Sequence, residues 1–281
     1  MKTTTKQGLV AATWLLILFG VIGGTLLWQR QVRRPKQQIA TVTVGSTTRI
    51  PTILLLDHQT TTQQRRQFVA GLQRNSGNQS VVILQVTRHG TLKFSGRFQT
   101  YDTRPILHLE LPTNASAMQQ AAWLKIALQQ AQQQLKFKSF NLITYGTGGL
   151  AATAYLEQAP TAQRPQHLVA IGTPFNGTST QKNANITGPV KRANQTNRLE
   201  SLIAKQLTID PQLRVLLIAG QTKGHSNGDG VVPVQSALAG QTIYRPIVKH
   251  YQQAVLNTWR ASHTGMYDSW KLVNLIQTFI N

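Results

Sequence analysis

Short, fully apolar segments alternate with longer segments of helical periodicity from residue 52 to the C-terminus. Short apolar runs of this kind are typical of strands that are buried on both faces. Strands are predicted at 41–47, 52–56, 81–86, 92–98, 106–111, 140–144, 168–171, 214–219 and 242–248, and helices at 63–73, 115–135, 149–157 and 266–280. The alternation predicts an α/β fold in which helices cover both faces of a mostly parallel sheet. Ligands bind such sheets at the carboxyl ends of the strands.

A glycine-rich turn follows the predicted strand 140–144. The turn reads Y-G-T-G-G over residues 145–149 and leads directly into an Ala-rich helix. A strand, a tight turn and a helix together form the geometry of a nucleophile elbow, whose apex residue holds its side chain above the sheet. The same turn is too short for a dinucleotide-binding fingerprint, and the sequence contains no phosphate-binding loop motif.

Two further residues have the order expected of a catalytic triad. Asp229 follows the strand 214–219 within a turn, and His263 lies in a polar loop before the last helix. Elbow, aspartate and histidine follow one another in this order in α/β hydrolases. We therefore expect Asp229 and His263 to be hydrogen-bonded neighbours. A structural interpretation stays open, because Asn-Gly-Asp-Gly is also a good turn and His263 also suits a loop that caps a helix.

Together these motifs resemble one group of hydrolases. They are P-T-I-L-L-L at 51–56, Y-G-T-G-G-L at 145–150, G-T-P-F-N-G at 172–177, D-G-V-V-P at 229–233, and His263. In their order and spacing the chain is similar to the membrane-anchored α/β hydrolases of unassigned function on the surface of lactobacilli and related Gram-positive bacteria. The resemblance covers roughly residues 48–281. It implies an α/β-hydrolase fold behind one N-terminal transmembrane helix.

The resemblance breaks down at the catalytic positions. The family elbow reads like G-H-S-M-G-G, and this alignment places Gly146 at the serine nucleophile. The first strand of the family runs into His-Gly, which helps to form the oxyanion hole, whereas here Asp57 and His58 follow the strand. A carboxylate at that place repels a developing oxyanion. The nucleophile and the oxyanion hole of acyl transfer are therefore both expected to be damaged, while Asp229 and His263 remain as the acid and base of the triad.

Four residues are candidates for the pocket around the lost nucleophile: Asp57, His58, Tyr145 and Thr147. Thr147 carries the nearest hydroxyl, but it lies one residue past the apex and is expected to point elsewhere. Asp57 beside His58 forms a salvage site near His263 in one interpretation. In the other, Asp57 is an ordinary turn or cap residue at a strand end.

Two functions follow as alternatives. In the first, the protein is a degenerate, inactive hydrolase that binds a small ester, lipid-like or peptide ligand or serves as a scaffold. In the second, it hydrolyses carboxylic esters through a substitute nucleophile or through water activated by His263, which Asp229 orients. Neither function needs a cofactor. A metal site has little support, because the histidines show no ligand spacing and the chain has no cysteine.

The first 38 residues are predicted to form a membrane anchor and a basic linker. Residues 8–28 carry no charge over 21 residues, with Lys2 and Lys6 before them and four basic residues after them. This length spans a bilayer, and no small-x-small cleavage site of a signal peptide closes the segment. We expect a single-pass protein of the cell membrane whose domain, residues 39–281, lies outside the cell. The orientation rests on the lack of cysteine, since the basic flanks are nearly balanced.

Charge indicates the kind of partner. The chain has 29 Lys and Arg against 8 Asp and Glu, and its net charge is +21. Six basic residues and no acidic ones fall in residues 1–38, so the domain itself carries +15. Such a domain attracts anionic cell-wall polymers or lipid headgroups. Nucleic acid is disfavoured, because no recognition motif appears.

The polar segment 177–195 is predicted to be a mobile cap or a surface insertion.

Overall fold

The computed structural model of the chain describes residues 23–24, 49–74, 77, 79–99, 101–184, 188–222 and 227–281. The chain divides into two compact units, residues 1–39 and 40–281. In the first unit only Gly23 and Gly24 are described, and both are helical. Within the described residues, no helix has the length and apolarity needed to cross a membrane. The rest of the predicted anchor, and the predicted strand 41–47, lie outside the described residues.

The second unit is built on an eight-stranded sheet. Its strand order is β3-β2-β4-β1-β5-β6-β7-β8, and only β3 runs antiparallel to its neighbour. The strands are β1 Thr52–Leu55, β2 Val81–Val86, β3 Leu92–Gly96, β4 Ile106–Glu110, β5 Asn141–Tyr145, β6 His167–Ile171, β7 Arg214–Gln221 and β8 His250–Asn257. The predicted mostly parallel sheet is confirmed, and the two most central strands, β1 and β5, lie side by side.

Helices cover both faces of this sheet. They are α1 Thr62–Gln73, α2 Ala117–Leu135, α3 Gly148–Leu156, α4 Asn197–Ala204, α5 Val234–Leu238, α6 Gln241–Tyr244 and α7 Trp270–Ile280. One apolar cluster packs α1 and α7 against the sheet, and a larger one packs α2 to α6 against the opposite face. Both clusters are formed by residues within 53–279. The unit 40–281 therefore contains its own hydrophobic core and is expected to fold without the first unit.

The last strand differs from its prediction. The β-branched segment 242–248 contains helix α6 and a turn, and the strand that pairs with β7 is β8, His250–Asn257. The sequence of β8, H-Y-Q-Q-A-V-L-N, is largely polar because β8 is an edge strand with most of its side chains partly or fully exposed. The predicted helix 266–280 begins only at Trp270, after a short 3₁₀ helix at Gly265–Asp268.

The polar segment after β6 is fixed to the fold at its base. The buried amide of Asn176 donates to the side chain of Asn183 at 3.0 Å and to the carbonyl of Asn194 at 3.1 Å, and accepts from the N–H of Thr196 at 2.8 Å. The Ser236 hydroxyl donates to the Gly177 carbonyl at 2.6 Å. In its described residues the segment is therefore an anchored surface insertion and not a loose cap.

Candidate active site

The predicted elbow is present between β5 and α3. Gly146 is its apex, with φ of +54°, and α3 begins two residues later at Gly148. The left-handed region costs a residue with a side chain about 1–2 kcal/mol, which glycine avoids. Tight strand-to-helix turns of this kind place the apex residue above the carboxyl end of the sheet. The backbone of a nucleophile elbow is thus intact, although its apex has no side chain.

The space above Gly146 is filled by Asp57. A Cβ atom built at position 146 collides with the Asp57 carboxylate, whose Oδ2 atom is the nearest neighbour. Asp57 reaches this place because it lies two residues after the end of β1, and β1 lies beside β5 with Leu55 opposite Thr144. The carboxylate therefore occupies the volume of the side chain that Gly146 lacks, and the two residues fit each other.

Asp57 also takes the hydrogen bonds that an oxyanion needs. The N–H of Thr147 and its hydroxyl both donate to Oδ2 at 3.0 Å, and the N–H of Gln59 donates to Oδ1 at 3.0 Å. Oxyanion holes in this fold use the N–H after the apex together with an N–H from a loop after an earlier strand. Burial alone would raise the pKa of Asp57, but these hydrogen bonds and the nearby His58 lower it. The hole is filled by a carboxylate of the protein itself.

Two of the predicted pocket residues lie around this carboxylate. The Nδ1 atom of His58 is 3.2 Å from Oδ1 of Asp57 and 3.5 Å from the Thr147 hydroxyl, and 42% of the His58 side chain is exposed. The Thr147 hydroxyl donates to Asp57, and among the described residues it forms no hydrogen bond with His263. Asp57, His58 and Thr147 thus form one cluster at the mouth of the site.

Asp229 and His263 lie together beside Gly172, which follows β6. Oδ2 of Asp229 is 2.7 Å from Nδ1 of His263, and Asp229 is almost fully buried. Oδ1 of Asp229 accepts the N–H groups of Val231 at 2.9 Å and Val232 at 2.7 Å. The N–H of His263 donates to the Asp229 carbonyl at 2.8 Å. The predicted pair is therefore in contact, and Asp229 also holds its own turn in place.

Tyr145 was predicted to line the pocket, but its side chain instead supports the loop that carries His263. Its side chain is fully buried, and its hydroxyl donates to the His263 carbonyl at 2.6 Å. The ring stacks on Tyr267 with 4.1 Å between ring centroids, and the Tyr267 hydroxyl lies 2.6 Å from that of Thr60. Burial raises the pKa of Tyr145 well above its usual range, so it stays neutral. Sequence periodicity gave no sign of this stack, because its members come from distant segments.

A family model described as "Alpha/beta hydrolase of unknown function (DUF915)" matches residues 40–281. The chain belongs to this family. The family resemblance predicted from the motifs is confirmed, and so is the α/β-hydrolase fold with a mostly parallel sheet, which has eight strands in the structure. No curated protein matches the chain.

Solved structures agree with membership of this α/β-hydrolase family. The product of gene lin2722 from Listeria innocua is 27% identical, with a TM-score of 0.75 over 83% of this chain and 94% of that one. A protein of Lactobacillus plantarum WCFS1 described as a cell surface hydrolase is 22% identical, with a TM-score of 0.69 over 84% of this chain and 92% of that one. The esterase Pf2001 of Pyrococcus furiosus shares the fold at 13% identity, with a TM-score of 0.52 over 83% of this chain and 82% of that one.

A cavity with both polar and apolar walls opens next to Asp57 in this hydrolase fold. Its volume is about 500 Å³, and its walls come from the carboxyl ends of β1, β2 and β4 and from α1. Arg65 and Glu110 form an ion pair within it. The buried His108 also lines it, and its Nδ1 atom lies 3.5 Å from Oε1 of Glu110 without forming a hydrogen bond. Burial and the charge of Arg65 lower the pKa of His108 to about 4, so its imidazole is neutral at pH 7. The cavity has the size of a small-molecule site.

The sequence drew attention to the elbow and the triad but not to this cavity. Arg65 on α1 is far in the chain from His108 and Glu110 on β4, and only the fold brings the three side chains together. The alternation of polar residues at 108 and 110 on one face of a strand is the signal that could have indicated it. No cluster of three or more potential metal ligands occurs among the residues that the structure describes.

Proposed function

We propose that this α/β-hydrolase-family protein has lost serine-dependent acyl transfer and is a degenerate hydrolase that binds a small ester or lipid-like ligand at its strand ends. The observation that carries the proposal is the carboxylate of Asp57, which fills the volume of the missing side chain at Gly146 and accepts the N–H of Thr147. A substrate carbonyl cannot use that N–H while Asp57 holds it.

The chemistry lost is large. Removing a triad member leaves a rate only about 10³–10⁴ above water, and that residual depends on an oxyanion hole and on substrate binding. Here the hole holds a negative charge, which destabilises a tetrahedral oxyanion placed beside it. A single serine at Gly146 is therefore not enough to restore the reaction. The cavity of about 500 Å³ beside Asp57 supports the binding part of the proposal.

A second candidate function is ester hydrolysis without serine. The 2.7 Å contact between Asp229 and His263 favours it, because a carboxylate on Nδ1 leaves the other ring nitrogen as a base for water. The Thr147 hydroxyl, which donates to Asp57, is the candidate in the elbow for a substitute nucleophile. In this function Asp229 orients His263, and the ester bond breaks as the acyl group passes to water, either directly or through a Thr147 ester that water then hydrolyses; the alcohol leaves with the proton that His263 took from the nucleophile.

One set of assays separates the two functions. The purified fragment 40–281 is incubated with a fluorophosphonate probe and with carboxylic esters of short to long acyl chains. The degenerate hydrolase is expected to give no labelling and no turnover, while an ester analogue still protects it from thermal unfolding. Turnover that His263→Ala abolishes would establish the second function. Thr147→Val then separates its two routes, because valine keeps the shape of threonine and removes only the hydroxyl.

We further propose that the protein is held at the cell surface by residues 8–28 as a single-pass anchor, with residues 39–281 outside. The uncharged stretch supports the anchor, and the description of the Lactobacillus plantarum neighbour as a cell surface hydrolase supports the location. Membrane fractionation and protease protection of whole cells test both points. A domain that stays protected from external protease would contradict the orientation.

The partners proposed for this domain are anionic cell-wall polymers or lipid headgroups, because most of its carboxylates are already used internally. Glu110, Asp210 and Asp268 pair with arginines, Glu157 is buried, and Asp57, Asp102 and Asp229 accept backbone N–H groups. The outer surface is consequently dominated by cations, whose attraction to polyanions weakens with salt. Binding to anionic polymers or vesicles that does not change with salt would contradict the proposal.

A further inference from the structure

Two indole side chains protrude from the domain near the end of the sheet. Trp259 follows β8 and is 83% exposed, and Trp270 begins α7 and is 59% exposed. Arg260 links the two positions, because its side chain donates to the Asp268 carbonyl at 3.1 Å and pairs with the Asp268 carboxylate. Two exposed indoles on segments that a side chain links mark an interaction site more often than a single scattered apolar residue does.

Cations accompany the indoles. The Lys271 ammonium lies over the Trp270 ring, 5.7 Å from its centroid, and the Arg214 guanidinium lies over the Phe279 ring at the same distance. Lys271 is near the beginning of α7 and Phe279 near its end. Since α7 rises about 1.5 Å per residue, the two cations are separated by most of the length of the helix.

An apolar groove runs between these cations. Its volume is about 530 Å³, and it lies between β8 and α7 with Leu216, Leu256, Leu275 and Phe279 in its walls. The groove is more apolar than the cavity beside Asp57, and both Arg214 and Lys271 border it. It therefore offers an apolar space beside two positive charges.

We propose that this tryptophan face, formed by Trp259, Trp270, Lys271, Arg214 and the groove between β8 and α7, docks onto an anionic phospholipid surface. Indoles favour the boundary between water and lipid, where the ring is buried and the N–H stays wet, and lysine and arginine bind phosphate headgroups there. A hydrophilic polyanion would use the cations but gain nothing from the indoles or the groove. The face is independent of whatever reaction Asp57 or His263 performs.

Vesicle binding of the fragment 40–281 tests the face. The probes are vesicles of phosphatidylcholine alone and of phosphatidylcholine mixed with phosphatidylglycerol, with and without brominated acyl chains. Sedimentation is expected to show binding to the anionic vesicles that weakens with salt. The double variant Trp259→Ala/Trp270→Ala is expected to bind at least about tenfold more weakly. Lys271→Gln is expected to weaken binding mainly at low salt.

Matched controls are available elsewhere on the domain. Leu207 is 82% exposed on a different element, so Leu207→Ala removes an exposed apolar side chain away from the tryptophan face. Lys93 on β3, at the opposite edge of the sheet, is the charge control through Lys93→Gln. Neither control substitution is expected to weaken vesicle binding as the tryptophan variant does.

The unsubstituted fragment provides a second readout that does not depend on a variant. Its tryptophans are Trp123, which is buried, and the two of the tryptophan face. Brominated chains are expected to quench the two exposed indoles and leave Trp123 emission. Absence of binding to anionic vesicles, absence of quenching, or undiminished binding by the tryptophan variant would each overturn the proposal. Binding to polyphosphate but not to vesicles would assign the surface to a polymer instead. Because ester turnover is measured separately, these outcomes do not bear on the proposed loss of serine chemistry.

Discussion

The fit between Gly146 and Asp57 predicts that returning a serine to the elbow destabilises the protein. Serine at position 146 must adopt a φ of +54°, which costs about 1–2 kcal/mol for a residue with a Cβ. Its Cβ also displaces the Asp57 carboxylate from the N–H of Thr147, and a hydrogen bond to a charged group contributes about 1.5–3 kcal/mol. Together these effects predict that Gly146→Ser lowers the free energy of unfolding by about 2.5–5 kcal/mol.

A second substitution relieves part of this cost. Asp57→Gly removes the colliding carboxylate, so in the Gly146→Ser background it is expected to recover at least about 1.5 kcal/mol of stability. Taken alone, Asp57→Gly is expected to destabilise the fold, because it removes a buried acceptor. Asp57→Asn is the matched control, since it keeps the volume of aspartate and removes only its charge, and it is not expected to relieve the collision.

Thermal and urea unfolding of the four fragments in this cycle measure the coupling. A domain of this size loses about 2–4 °C of melting temperature per kcal/mol, so Gly146→Ser is expected to melt about 5–20 °C lower than the parent. Only the double variant frees both the serine and the Thr147 N–H, so only it is expected to react with a fluorophosphonate. If Gly146→Ser alone were as stable as the parent and reacted with the probe, the assigned role of Asp57 would be wrong.

Three further predictions concern the surroundings of the site. Asp229→Ala is expected to cost about 2–4 kcal/mol in urea unfolding, because Oδ1 accepts two N–H groups of its own turn, and Asp229→Asn less; a cost below about 1 kcal/mol would contradict the structural role. Burial raises the pKa of Glu157 to about 7, so the folded state holds the proton more tightly and stability falls as pH rises from about 4.5 to about 7. Glu157→Gln is expected to remove this pH dependence, which is measured as the difference in melting temperature between pH 5 and pH 8. An equal difference in the parent and the variant would refute the prediction. Asn176→Ala is expected to speed proteolysis within 177–196, and an unchanged cleavage rate would show that its amide does not fix the insertion.

The parts of the fold that were predicted correctly are those with a local signal. Strands β1, β5 and β6 are short, largely apolar runs, because they are buried between neighbouring strands and covering helices. Strand β8 lacks this signal, since an edge strand needs few apolar side chains, and the β-branched segment 242–248 was a more attractive candidate. Strand propensity reflects burial and neighbours as much as the backbone, and here the neighbours decide against segment 242–248.

The site shows the same division between local and distant information. The order of elbow, aspartate and histidine is enough to predict that Asp229 and His263 meet. The position of the Asp57 carboxylate depends on the register of β1 against β5 and on the path of the loop after β1. The sequence showed an acid where the family has a neutral turn, and it showed a glycine where the family has serine. It did not show that one side chain fills the space left by the other.

This fit changes what the presence of Asp229 and His263 implies. Asp229 holds its own turn through two N–H groups, and the His263 loop is fixed by its N–H to Asp229 and by the Tyr145 hydroxyl to its carbonyl. Each of these bonds stabilises the fold whether or not a reaction takes place. A triad acid and base in hydrogen-bonding contact are therefore not evidence of turnover in this protein. The proposed loss of serine chemistry rests on Gly146 and Asp57, because regaining it requires two substitutions together. Gly146→Ser alone leaves the collision with Asp57, and Asp57→Gly alone leaves an elbow without a nucleophile.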